Sequence, residues 1–147
     1  MAQVLTSQKI PTIIDARGPR FGAVITTVVL ATALATNIVW VIVAQAIVFA
    51  IGALKGPQFT PYAFIFKKFV KPKLKGETPT EDVRPPQFAQ TVGLLFLLTA
   101  IAAAFSGLDL AFTVVVGFAL AAAFLNAAFN FCLGCEIYLL LLRARSK

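Results

Sequence analysis

The chain has 147 residues, 59% of them hydrophobic and only 13% charged, with a mean hydropathy of +0.88. Soluble domains carry about 25% charge, so this composition belongs to the membrane class, and the length suits one domain. The net charge of +7 does not point to nucleic acid, because the basic residues form three short segments flanking long apolar runs.

Residues 1–20 read as a cytoplasmic N-terminal segment. They lack an uninterrupted apolar core, so no secretory leader is expected, and Pro11, Gly18 and Pro19 are expected to break any helix there. Phe21 to Leu54 then carries no formal charge. As one helix it would run about 50 Å, far beyond a hydrocarbon core of about 30 Å. A split near Thr36-Asn37 makes residues 21–54 a transmembrane hairpin, with Trp40 near the far interface.

Residues 55–87 follow as a basic, Pro-rich loop in which the proline spacing excludes a long helix. Aromatic and basic residues alternate from Tyr62 onward. That pattern suits a segment lying on anionic headgroups through Lys67, Lys68, Lys71 and Lys73, or docking an acidic protein partner. Residues 88–130 form the second hairpin. A helix over Phe88–Phe105 breaks at Ser106-Gly107-Leu108-Asp109, and another covers Leu110–Asn130. Residues 131–147 hold a C-x-x-C, a short apolar segment expected at the interface and a basic tail.

All 13 basic residues fall in the N-terminal segment, the middle loop or the tail, and the two hairpin turns contain none. Four spans place these three segments on one face, which the positive-inside rule makes cytoplasmic. The fold expected is an all-α integral membrane protein of four transmembrane helices in two hairpins. Short interfacial segments lie on the cytoplasmic side of what would be a bacterial inner (plasma) membrane, with both termini cytoplasmic.

The halves also resemble each other. Asp15-Ala16-Arg17-Gly18-Pro19-Arg20-Phe21 and Asp82-Val83-Arg84-Pro85-Pro86-Gln87-Phe88 share D-x-R-x-P-x-F at an offset of 67 residues. A second echo aligns Tyr62–Lys67 with Tyr138–Arg143 at an offset of 76. Two hairpins starting on one side would form a parallel repeat about the membrane normal. In that pattern Arg17 and Arg84 can anchor at headgroups or bind substrate, while Asp15 and Asp82 pair with them or cap a helix. Within the spans, Gln45, Asn126 and Asn130 are the notable polar side chains. The two asparagines, four residues apart, are expected on one helix face. Central ionisable residues are lacking, which weakens a proton-coupled transporter.

Phe131-Cys132-Leu133-Gly134-Cys135-Glu136 is the one reactive-looking constellation, and it holds both cysteines of the chain. The spacing permits a small disulfide ring. Cys132 near a helix N-terminus would have a lowered pKa, which Glu136 opposes. On the cytoplasmic side a static structural disulfide is not expected. A redox dithiol of Cys132 and Cys135, two small packing cysteines, and a metal shared with a partner all remain open. With no His, and Met1 the sole Met, no haem and no metal bound by this chain alone are expected, and no cofactor is evident.

Asp15–Gly22, the Gly56-Pro57 turn with Pro61-Tyr62, Arg84–Gln90 and above all Asn126–Tyr138 together resemble a bacterial family of small membrane proteins. That family is catalogued only as a domain of unknown function. The chain is also distantly similar in architecture to the DoxX-like four-helix proteins, some tied to thiosulfate oxidation or thiol-redox maturation. The first likeness implies membrane placement and draws attention to Cys132 and Cys135. Three functions compete: a thiol-redox or sulfur-relay accessory, a structural subunit of a larger membrane complex, and a small-solute transporter. The first two require a protein partner.

Overall fold

A computed structural model describes residues 13–73 and 80–145. Lys9, Pro11, Lys75 and Lys147, which bear on the charge and loop expectations above, lie outside the described residues, as does the 74–79 part of the middle loop. In chain order the elements are β1 (Ile13–Asp15), α1 (Arg17–Thr36), α2 (Val39–Leu54), α3 (Pro61–Ile65), β2 (Thr80–Asp82), α4 (Arg84–Phe105), α5 (Asp109–Phe129) and α6 (Leu133–Arg145). A 3-10 turn, Pro57–Phe59, precedes α3. A π turn, Phe66–Val70, and a 3-10 turn, Lys71–Lys73, follow it.

The breaks between helices fall where the sequence places them. Asn37 ends α1 in the left-handed region (φ 57°) and donates its N–H to the Ala33 carbonyl at 2.8 Å. Gly107 does the equivalent after α4 (φ 77°), where a Cβ would be strained. Two expectations need correction. Gly18 and Pro19 do not break a helix, since α1 starts at Arg17 and runs through them, and α4 likewise starts at Arg84-Pro85-Pro86. The first-turn amides of a helix have no intrahelical acceptor, so proline sacrifices nothing there. Nor do Asn126 and Asn130 share a helix face. Asn130 is the left-handed residue that ends α5 (φ 55°), with its N–H on the Asn126 carbonyl.

The fold is all-helical apart from the short strand pair. α1, α4 and α5 are each long and apolar enough to cross a membrane, and α2 is a shorter apolar helix of 16 residues. α1 packs on α2 and α5, α4 packs on α2 and α5, and α3 and α6 lie against α1 and α4 respectively. Leu30, Ile42, Leu97 and Val116 are fully buried where the four long helices meet, with Ala33, Ala46, Ala100, Ala103 and Phe112 around them. The alanines let the backbones approach closely, and dispersion between the larger side chains fills the remainder. This packed core occupies the end of the bundle near Trp40, whose ring meets that of Phe105 edge-on at 6.2 Å.

At the other end the two halves meet symmetrically. β1 and β2 pair antiparallel with Ile14 opposite Glu81, residues 67 apart in sequence. Equivalent positions therefore face each other across a pseudo-twofold axis. The helix contacts obey the same axis, with α1, α2 and α3 standing in the first half as α4, α5 and α6 stand in the second.

Candidate functional site

The strand ends build two matching clamps. Asp15 Oδ1 accepts the backbone N–H of Arg17 at 2.9 Å and its Nε at 3.1 Å. Asp82 Oδ1 accepts the corresponding Arg84 groups at the same two distances. Burial alone would raise the Asp15 carboxyl, but the Arg17 hydrogen bonds and the Lys71 ammonium, 3.5 Å away, hold it below its ordinary value. At Asp82 the Arg84 side-chain hydrogen bond is the leading influence and lowers it despite burial. These contacts pair Arg17 and Arg84 each with an aspartate at a helix start.

Three residues beyond each arginine, a side chain closes a helix of the opposite half. Arg20 Nε donates to the Ala127 carbonyl at 3.1 Å, at the C-terminus of α5. Its counterpart Gln87 donates through Nε2 to the Ala53 carbonyl at 2.9 Å, at the C-terminus of α2. One residue further, the Phe21 ring meets Phe66 (centroids 5.7 Å) and the Phe88 ring meets Tyr138 (5.5 Å). These contacts set the register of the third helices at an offset of 72 residues, pairing Phe66 with Tyr138. The offset of 76, which pairs Tyr62 with Tyr138, follows the aromatic-apolar-basic pattern and misses this packing.

That register puts Thr60 opposite Cys132. Thr60 Oγ1 caps α3 by accepting the Ala63 N–H at 3.2 Å. Cys132 Sγ caps α6 by accepting the Cys135 N–H at 3.1 Å. Each uses the i to i+3 geometry of an N-cap. The two cysteines are joined as a disulfide, with Cα atoms 5.1 Å apart. Gly134 lets α6 lie directly on α4, since a Cβ there would stand 2.6 Å from that of Ala89.

The interior differs most between the halves. In the first, Tyr62 donates its hydroxyl to Gln45 Oε1 at 2.5 Å, and Gln45 Nε2 reaches Thr26 Oγ1 at 3.4 Å. Gln45 and Thr26 are almost wholly buried, and burial raises the Tyr62 phenol. In the second half the equivalent positions are Gly93, Ala119 and Gly134. A polar network in one half thus stands where small residues stand in the other. All six positions line a cavity of about 800 Å³ between the halves. It extends from the clamps down to Phe96 and Phe118, just above the packed core, and Cys132 and Cys135 are part of its wall.

Over residues 14–143 the chain matches the family described as Domain of unknown function (DUF4395). The chain belongs to this family. The family match covers both halves and the C-x-x-C segment, in keeping with the resemblance read from those residues. No curated protein and no solved structure matches the chain.

Of the side chains singled out in the sequence of this family member, Asp15, Arg17, Lys67, Lys71, Cys132 and Cys135 come together around the cavity or at its mouth. Arg84 sits at the matching clamp. Lys68 and Lys73 are exposed, Lys68 with its ammonium over the Phe69 ring. Lys67 donates to the Gln58 carbonyl at 3.2 Å. Thr26, Thr60 and Tyr62 were not anticipated as site residues. The ring contacts supply the missing signal: at the offset of 72 that they set, Thr60 falls on Cys132.

Proposed function

We propose that this protein spans the bacterial plasma membrane four times, with both termini cytoplasmic, and carries out thiol–disulfide exchange through Cys132 and Cys135. Three spans are supported by length and composition. The fourth, α2, would cross about 24 Å at 1.5 Å per residue, a shortfall that flanking residues and slight bilayer thinning accommodate. Orientation rests on the charge pattern, since the basic residues of the sequence all lie outside the four long apolar runs and their hairpin turns. Lys67, Lys68, Lys73 and the clamp arginines are then set to meet anionic headgroups.

The observation that carries the redox reading is the cysteine pair at the N-cap of α6, on the wall of the cavity. The capping N–H and the positive helix end favour a thiolate at Cys132 once the pair is reduced. In exchange, a thiolate of a partner dithiol attacks one sulfur of the pair. The S–S bond breaks, a mixed disulfide forms, and the other cysteine leaves as thiolate. The partner's second thiol then displaces the protein sulfur, so the partner departs oxidised and the pair is left as a dithiol.

Single-cysteine variants test this in native membranes near neutral pH. Cys135→Ser should form a mixed disulfide with oxidised glutathione and retain it. Cys132→Ser should form little, and its Cys135 should be alkylated at least several-fold more slowly. Equal alkylation rates for the two variants would overturn the reading. Reporters fused after Thr36 and after Gly107 should read external, and one after Lys73 cytoplasmic. An internal signal after Gly107 would overturn the topology.

A further inference from the structure

We infer that the cavity between the halves binds a quinone, a lipid-soluble two-electron acceptor that re-forms the Cys132–Cys135 disulfide. This rests on the exchange reading above, because each exchange leaves the pair as a dithiol that must lose two electrons before the next. The S–H bonds of Cys132 and Cys135 break and the S–S bond forms. Two electrons and two protons pass to the acceptor, whose two carbonyl oxygens become hydroxyls.

Three features of the cavity select this class of ligand. Its volume of about 800 Å³ lies within the 300–1,000 Å³ range of small-molecule pockets and exceeds what a single ring requires. Its walls deep between the helices combine Val48, Phe96, Phe118, Ala119 and Ala122 with the uncharged polar groups of Thr26, Gln45 and Gln90, so a ligand partitioning from lipid meets no charge there. The cations that line it are already engaged by protein groups: Arg20 by the α5 carbonyls, Lys67 by the Gln58 carbonyl, Lys71 by Asp15. A neutral ring needs no cation of its own, so these pairings stay intact when it binds.

The amide of Gln90 suits the oxidised ring. Gln90 lines the cavity, with its Oε1 buried against Gly52 of α2 rather than open to the cavity. An amide also carries N–H donors, which a quinone carbonyl accepts.

The experiment uses the full protein in detergent, reduced with dithiothreitol, freed of reductant and kept anaerobic. A fully substituted benzoquinone with a decyl chain is added. Such a ring has no open position for thiol addition, so loss of thiols reports oxidation alone. The expected result is one quinol formed per disulfide closed, with a rate that saturates in quinone. Ala122→Trp, which puts an indole into the cavity, should slow the reaction at least tenfold while diamide closes the pair at the wild-type rate. Gln90→Leu, a smaller change, should weaken apparent quinone affinity several-fold without altering closure by diamide. If diamide closes the wild-type pair but the quinone does not, the acceptor inference fails and the exchange reading stands. Equal quinone rates in the Ala122→Trp variant and the wild type would also overturn the acceptor inference. If neither dithiothreitol opens the pair nor diamide closes it, the exchange reading fails, and the acceptor inference with it.

Discussion

The two halves of this molecule share a clamp, a reciprocal cap and a ring contact, and differ in what they place beneath them. In the first half Thr60 caps α3, and the interior is filled by the Thr26–Gln45–Tyr62 network. In the second, Cys132 caps α6 with a sulfur, and the interior positions are Gly93, Ala119 and Gly134. The scaffold needs an acceptor at the N-cap, and a hydroxyl meets that need without chemistry. A sulfur meets it and is also a nucleophile. The comparison therefore separates support from reactivity at a single pair of positions.

The largest expected effect comes from making the halves alike at that pair. Cys132→Thr should abolish mixed-disulfide formation entirely. Against the reduced wild type, it should shift thermal stability by under about 0.5 kcal/mol, because threonine is a competent cap. Cys132→Ala should lose the chemistry and about 1 kcal/mol besides. If the threonine variant unfolds as readily as the alanine one, the equivalence with Thr60 is broken.

Next come the close approaches. Gly134→Ala puts a Cβ within 2.7 Å of the Ala89 backbone, so α6 must lift from α4, at a cost of about 1–3 kcal/mol. The corresponding contact of the first half tolerates the same change. A Cβ at Gly22 would stand 3.8 Å from Tyr62, and a helical Gly→Ala gains up to about 1 kcal/mol of propensity. Thermal unfolding in detergent should show opposite signs for the two variants.

Gln45→Leu strips the Tyr62 hydroxyl and Thr26 of their buried partner and should cost about 1–2 kcal/mol by the same measurement. Ala119, its counterpart, makes no such network, and Ala119→Val should change stability by less.

The smallest effect concerns the clamps. Both carboxyls are depressed in the folded protein, so each contributes stability that is present above the ordinary carboxylate value. That stability is lost as pH falls through the lower folded one. Asp15→Asn and Asp82→Asn should thus weaken the fold at pH 7; the difference from wild type should start to shrink below the ordinary carboxylate value of about 3.9 and vanish only below the lower folded one. Asp15→Asn should do more. Its side chain is 10% exposed against 30% for Asp82, and it alone also meets Lys71. Equal losses would show that burial of the first clamp counts for nothing.

Much of this architecture was legible in the sequence, because it follows from local chemistry. Long uncharged runs, Asn37 and Gly107 at the breaks, and D-x-R-x-P-x-F all act within a few residues of where they stand. The helix starts at Arg17 and Arg84 were obscured by prolines that look like breakers and act as first-turn residues. The Asn130 role was obscured because apolar flanks continue past the helix end. What could not be read was long-range. The hydrogen bond from Tyr62 to Gln45 and the Thr60–Cys132 equivalence depend on how third helices fold back on first ones. The residues between them differ in number in the two halves, so no constant spacing reveals the match.

The crossed capping of Arg20 on α5 and Gln87 on α2 has a consequence for ancestry. Each half seals an end of the other, so neither is complete alone. A half-length forebear would have existed as a homodimer, closing itself through the same exchange. In such a dimer any change at the cap position appears twice, and a reactive pair in one subunit means a reactive pair in both. Joining two such copies in one chain would lift that constraint. One copy could then keep its threonine and inner hydroxyls while the other took a sulfur and small, close-packed interior residues.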